Sequence, residues 1–310
     1  MTGQSFERIA LIGCGLIGSS VARAVRERGS AGHLAIYDLS PKVRERVREL
    51  GLADLVTDTI AEAVTGADLV LYATPPMAMA EAARAAAPHY AKGAVISDVG
   101  SVKGAIADIL NEDAPAGVFV IPGHPIAGTE QSGPDAGFAA LFDGRWVILT
   151  PSDRPDQAYA VAVAKLSAFW RGLGAQVELM DARHHDLVLA VTSHLPHLIA
   201  YNIVGTAADL EEVTQAEVMK FSAGGFRDFT RIAASDPVMW RDVFILNKDA
   251  VLEILGRFTE DLQALSRAIR WGEADKLEEL FTRTREIRRG VIALGQEDPT
   301  PNFGRNRQKD

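Results

Sequence analysis

Three glycines at fixed spacing constrain the fold of this chain more than any other feature. Gly13, Gly15 and Gly18 stand in Gly13-Cys14-Gly15-Leu16-Ile17-Gly18, directly after the β-type run Arg8–Ile12 and before a helical stretch that opens near Ser19. In a strand–turn–helix context each glycine has its own task. Gly13 permits the tight turn, Gly15 lets backbone amides approach a pyrophosphate, and Gly18 lets helix and strand pack closely. The helix N-terminus adds unpaired N–H groups and the positive end of its dipole, so Gly13, Gly15, Leu16, Ile17 and Gly18 are expected to cradle phosphates. Asp38 ends the second β-type run, twenty residues beyond Gly18. A carboxylate there accepts hydrogen bonds from ribose hydroxyls and repels a 2′-phosphate, which predicts NAD over NADP. Arg44 and Arg46, a little further on, are placed to soften that preference.

The rest of the first half repeats the pattern. Leu34–Asp38, Leu69–Ala73, Ala94–Asp98, Val118–Ile121 and Trp146–Thr150 are short apolar runs bounded by Gly, Pro or polar residues, and Gln176–Leu179 reads as a last edge strand. Helical candidates lie between them at Pro41–Leu50, Met77–Ala87, Val102–Asn111 and Asp156–Leu173. Such alternation predicts an α/β fold with a Rossmann-type, doubly wound, mostly parallel sheet. After Asp181 the β-type runs cease. Leu252, Leu255, Phe258, Leu262, Leu265 and Ile269 recur at three- and four-residue intervals, the stripe of an amphipathic helix. The expectation is a cofactor domain over 1–181, an all-α C-terminal domain over 182–295, and a poorly ordered tail over 296–310. Large apolar helix faces in the second domain suggest a homodimer; a self-contained helical bundle fits the same pattern.

Composition narrows the partners. A hydrophobic fraction of 47% and a charged fraction of 24% are those of a globular chain that buries a core. The net charge of −9 argues against nucleic acid or an anionic membrane as a partner, and an anionic substrate would need a local cationic cluster. Cys14 is the only cysteine, so no internal disulfide or cysteine-ligated metal is expected. No window of about 18 uncharged apolar residues reads as a membrane span, and the N-terminus lacks a signal-type apolar segment. A cytoplasmic protein is expected.

A dinucleotide fold does not specify a substrate, so the chemistry must come from other residues. Ligands of open α/β sheets bind beyond the carboxyl ends of the strands. Thr74 and Pro75 stand at one such end, Ser101 at the next, and His124 follows the run VFVIP between Gly123 and Pro125. Thr74, Pro75 and Ser101 are thus candidate cofactor contacts. An imidazole held in a loop at His124 titrates near working pH and can serve as a general base for a hydroxyl that loses hydride; a histidine simply packed at a strand end is the alternative. Ser101 can hydrogen-bond that imidazole or the substrate, or cap the helix expected from Val102. In the helical half, His194 and His197 lie three apart around Pro196, on one side of a helix near a kink. No matching third ligand accompanies them, and no metal is expected. The stretch Gly224–Arg231 breaks on glycine and then alternates charge with aromatic residues, and its arginines suit a carboxylate.

Together GCGLIG, DVGSVK, GHPIAGTE, SHLPH and GGFRDFTRIAASDPVMWRD resemble, in that order and from Arg8 to Leu294, the prephenate and arogenate (cyclohexadienyl) dehydrogenase family. The resemblance implies NAD-dependent oxidative decarboxylation of prephenate to 4-hydroxyphenylpyruvate, of arogenate to tyrosine, or both. It also implies roles at matching positions. His124 is similar to the histidine that takes the proton of the ring hydroxyl, and Ser101 to the serine that orients it. Arg231 resembles the arginine that fixes a substrate carboxylate. His197, Thr129, Glu130 and His194 match pocket positions, with Asp228 pairing to gate the site. Trp240 matches a residue that a partner subunit contributes, which implies a homodimer through the helical domain. Two rival readings remain beside it. A β-hydroxyacid-type dehydrogenase would need a catalytic lysine, and neither Lys220 nor Lys248 lies in a G-x-x-x-N-x-x-K pattern. A non-catalytic NAD-sensing or scaffolding protein would have no use for His124 and Ser101 together.

Overall fold

The first strand shows how the sequence builds the core. In β1 (Phe6–Ile12), Ile9 and Leu11 point into one apolar cluster while Ala10 and Ile12 point into a second on the opposite face. β4 (Leu69–Tyr72) repeats this, with Leu69 and Leu71 on one side and Val70 and Tyr72 on the other. Strands apolar on both faces need cover on both faces, which is why they occupy the middle of the sheet. The computed structural model describes residues 5–129, 131–153, 156–209 and 224–293. Its main sheet is parallel and six-stranded, in the order β3 (Leu55–Val56), β2 (Ala31–Tyr37), β1, β4, β5 (Val95–Asp98), β6 (Phe119–Val120). Helices α1 (Leu16–Arg28), α2 (Pro41–Glu49), α3 (Ile60–Val64), α4 (Met79–Ala86), α5 (Gly104–Glu112) and α6 (Gln157–Gly172) accompany it. This is the expected doubly wound α/β arrangement.

The sheet departs from expectation at its far end. Trp146–Leu149 (β8) and Gln176–Leu179 (β9) do not extend the main sheet. They form a separate three-stranded sheet with β7, Gly123–Pro125, which was expected to be a loop. The cause is Pro122. Ile121 still donates to Ile96 in the main ladder, but proline has no N–H to continue it. The chain therefore turns and pairs antiparallel with β8, setting His124 opposite Ile148. The two-residue strand β3 is too short to show a period, and the sequence reading missed it.

Beyond the sheets come α7 (Ala182–Leu189), a π turn (Ala190–His194), α8 (Leu195–Asp209), α9 (Gly224–Thr230), a 3-10 turn (Arg231–Ala234) and α10 (Pro237–Leu246). α7, the π turn and α8 run on as one helix, 182–209, which by length and hydropathy alone is apolar enough to cross a membrane. That run was not anticipated, because buried polar groups interrupt it: His185, Asp186 and His194 all lie inside the protein. Val102, Trp240 and Val243 form a third small core joining α10 to the segment before α5. The first compact unit consequently reaches Leu252, well past the composition change near residue 181. The second unit begins at Glu253, within α11 (Lys248–Trp271), and includes α12 (Ala274–Ala293). On α11, Leu255, Phe258 and Leu265 are half-buried, while Leu262 and Ile269 are exposed.

Candidate active site

The glycine turn has the geometry its spacing predicts. Gly13 has φ +94°, and a Cβ there would lie 2.5 Å from the Ala73 carbonyl oxygen. A Cβ on Gly18 would lie 2.3 Å from the Gly13 carbonyl. Gly15 caps α1 and faces open space, with nothing within 4 Å of its would-be Cβ. No side chain caps α1 and its first turn holds no acid, so the amides beyond Gly15, including those of Leu16 and Ile17, keep their capacity for an anion. Asp38 lies just past β2, and its two oxygens accept N–H bonds from Cys14 and Ser40, both at 2.9 Å. It thereby ties the turn to the second strand, and each oxygen retains a lone pair for a ribose hydroxyl. Arg44 is held by Asp58 and by the carbonyls of Asp38 and Leu39, and Arg46 by Asp135 and Glu49. Both guanidiniums are engaged by these neighbours. At the end of β4, Thr74 has a buried hydroxyl without a partner among the described residues, beside the exposed Pro75. An open Gly15, an uncapped helix start and an orphaned Thr74 hydroxyl fit a dinucleotide.

The end of β5 is bound to β7 by a buried ion pair. Lys103 Nζ meets Asp98 Oδ2 and donates to the Gly123 carbonyl at 2.6 Å, while Gly123 N–H donates to Asp98 Oδ1 at 3.1 Å. Both side chains are fully buried. Burial pushes the Asp98 carboxyl up and the Lys103 ammonium down, each opposed by the other's charge. This clamp fixes the strand that carries His124.

His124 is buried, and its ring nitrogen Nδ1 lies 2.9 Å from Nε2 of His185 on α7. Burial, then the neighbouring His185, Lys103 and His194, hold its pKa well below the ordinary imidazole value. The ring is therefore neutral at physiological pH, as a base must be. Ser101 is not the partner of the His124 ring here: His124 Nδ1 is hydrogen-bonded to His185. Nor does Ser101 cap the helix, whose first turn is held by Asp186, which accepts the N–H groups of Lys103 and Gly104 at 2.8 Å each. α5 starts at Gly104 because that external carboxylate fixes its first turn. Ser101 remains half-exposed, at the end of β5.

The helical histidines meet at one aromatic residue. His197 stacks on Trp240 with ring centroids 3.6 Å apart, and His194 meets the same indole edge-on at 6.0 Å. Trp240 is thus buried within its own chain, with both histidine rings packed on it. His197 Nδ1 donates to the Ser193 carbonyl at 2.9 Å, leaving Nε2 as an acceptor. Its pKa is lowered by burial and by nearby Arg231, opposed by that carbonyl. His194 lies 3.0 Å from the Asn247 amide and is pushed down to about 4, chiefly by burial. Arg231, Asp228 and Thr129 are exposed, and Glu130 lies outside the described residues. His185, Asp186 and Asn247 were missed by the sequence reading. Their signal was faint: His185 and Leu189, one turn apart, are both buried, so a polar residue occupies an apolar helix face.

A glycine turn open to a pyrophosphate after β1, and a neutral buried imidazole on β7, which a buried ion pair ties to the end of β5, are the parts of a dinucleotide-dependent dehydrogenase. Family models described as the prephenate dehydrogenase nucleotide-binding domain and dimerization domain match residues 21–179 and 181–283. A cyclohexadienyl dehydrogenase from Zymomonas mobilis is 45% identical over 91% of this chain and 95% of its own. The crystal structure of prephenate dehydrogenase from Aquifex aeolicus, in complex with hydroxyphenyl propionate and NAD+, is 32% identical with a TM-score of 0.85, over 92% of this chain and 98% of that one. An arogenate dehydrogenase from Synechocystis gives 26% identity and a TM-score of 0.77 over 92% of this chain and 99% of its own. The chain belongs to the prephenate dehydrogenase family.

Proposed function

We propose that this chain oxidises and decarboxylates prephenate, arogenate or both, using NAD, on the route to tyrosine. The observation that carries the reading is the neutral His124 anchored through Nδ1, whose Nε2 has no bonded partner among the described residues. When bound, the nicotinamide supplies the hydride acceptor. Gly13, Gly15, Leu16, Ile17 and Gly18 would hold the pyrophosphate, Asp38 a ribose, and Thr74, Pro75 and Ser101 the nicotinamide end. His124 takes the hydroxyl proton at C4 of the substrate ring, and Ser101 orients that hydroxyl. Loss of the ring carboxylate as CO2 then restores aromaticity and makes the reaction effectively irreversible. Arg231, exposed beside His197, would grip a substrate carboxylate, the local cation that a chain of net charge −9 needs. His197, His194, Thr129 and Glu130 would line the pocket, with Trp240 bracing His197 and Asp228 gating access. General-base assistance of this kind contributes about 10²–10⁴-fold.

The helical domain would pair two copies into a homodimer, in the cytoplasm. The apolar residues Leu262, Ile269, Phe281 and Ile287 are exposed on the second unit and await cover. Purified protein supplied with NAD and prephenate should form NADH and 4-hydroxyphenylpyruvate, and with arogenate, tyrosine. His124→Asn should reduce kcat by about 10²-fold or more while NAD affinity holds. Absence of NADH formation with either substrate would refute the reading, and full turnover by the variant would remove the base.

A further inference from the structure

Asp186, His185 and His124 form a continuous chain of hydrogen bonds that no role above accounts for. Asp186 Oδ1 accepts from Lys103 N–H and lies 2.9 Å from His185 Nδ1; Oδ2 accepts from Gly104 N–H. His185 Nε2 lies 2.9 Å from His124 Nδ1, with the two rings nearly perpendicular at 69°. All three side chains are buried. The protons can be placed by elimination. Burial alone would raise the Asp186 carboxyl, but the bonds from His185 and from two backbone amides outweigh it and hold the group ionised. An ionised carboxylate only accepts, so His185 Nδ1 carries a hydrogen. Burial keeps His185 neutral, which leaves Nε2 with a lone pair. His124 Nδ1 must then be the donor between the rings, and His124 Nε2 holds the lone pair that a base requires.

We infer that His185 and Asp186 are positioning residues that lock His124 in the one tautomer whose Nε2 can accept the substrate's hydroxyl proton. The inference rests on the reading of His124 as the base. A lone imidazole exchanges between two tautomers, one of which puts a proton where the lone pair is needed. As His124 takes the proton at Nε2, its Nδ1–H stays in place, and the new positive charge is offset through His185 by the Asp186 carboxylate. The other charged or titratable groups bearing on the two rings are Lys103, next to α5, Asp98 at the end of β5, and His194 on the π turn. The same Asp186 caps α5, so the base, α7 and the segment that ends β5 are held in one register.

His185→Leu removes the acceptor, whereas in His185→Gln the amide oxygen can accept from His124 and the amide N–H2 can donate to Asp186. Loss of the correct tautomer in a related hydrogen-bonded array costs about 10⁴-fold in kcat. His185→Leu should lower kcat by about 10²-fold or more, His185→Gln should restore it to within about tenfold of wild type, and NAD affinity should hold in both. Nitrogen-15 NMR of the wild-type protein at neutral pH should show His124 protonated at Nδ1 and bare at Nε2. If His185→Leu turns over normally while His124→Asn is inactive, the base stands and the positioning role is overturned. If both variants are fully active, both fall. Should His185→Leu fail to fold, the wild-type spectrum still decides: a proton found on Nε2 of His124 overturns the inference.

Discussion

At the scale of single residues, the glycine turn separates folding from ligand binding. Gly15 and Gly18 share a motif, yet the space around them differs. Nothing within 4 Å would meet a Cβ at Gly15, while one at Gly18 would lie 2.3 Å from the Gly13 carbonyl. Gly15 also has φ −77°, outside the left-handed region that bars side chains. Gly15→Ala should therefore keep the wild-type urea midpoint but weaken NAD binding at least tenfold in calorimetric titration, because the methyl occupies the pyrophosphate's approach. Gly18→Ala should lower the midpoint itself, because the close backbone contact must open. Equal NAD affinity in Gly15→Ala and wild type would remove that position from the cradle. This part of the site was legible because the motif acts through backbone space, which glycine spacing reports directly. His185 and Asp186 were not legible, since their roles depend on a long-range contact between α7 and the segment around residue 103 that local spacing does not encode.

At the scale of elements, the informative failure is β7. Its three residues, Gly123–Pro125, carry no period of their own and were expected to be a loop. Pro122 ends the main ladder, and the pairing with β8 then holds His124. The major strands and helices of the first half were readable within a few residues, because a run apolar on both faces has few places to go. What ties β7 to β5 is a side-chain clamp, Lys103 with Asp98, that resembles any charged pair in the sequence. Removing one partner of a buried pair leaves the other charge uncompensated and costs about 3–5 kcal/mol. Lys103→Met should thus destabilise the protein by about that amount in urea unfolding, and should lower kcat with it by releasing the strand under His124. A midpoint within error of wild type would show that the clamp does not hold the strand.

At the scale of the whole molecule, four of the seven histidines share one property. His124, His185, His194 and His197 all have lowered pKa values, in each case chiefly through burial. Unfolding exposes these rings to water and restores an ordinary value near 6.5. As pH falls below about 6.5, the unfolded chain takes up protons that the folded one refuses, so stability falls. The loss continues until the folded rings titrate as well. For His194, lowered to about 4, the window runs from about 6.5 down to about 4, and at about 1.36 kcal/mol per pH unit it amounts to roughly 3 kcal/mol. Asp186 adds to the loss only at lower pH, because its ionised form is the one the folded protein favours and its unfolded value lies near 3.9. Urea midpoints should therefore be level above about pH 7.5 and fall steadily between about 6.5 and 4. In His194→Gln the slope should be visibly shallower, whatever the variant's absolute stability, because the substituted side chain binds no proton in either state. Parallel slopes for wild type and His194→Gln would mean that this ring is protonated in the native protein, and that the acid sensitivity of the fold has another source.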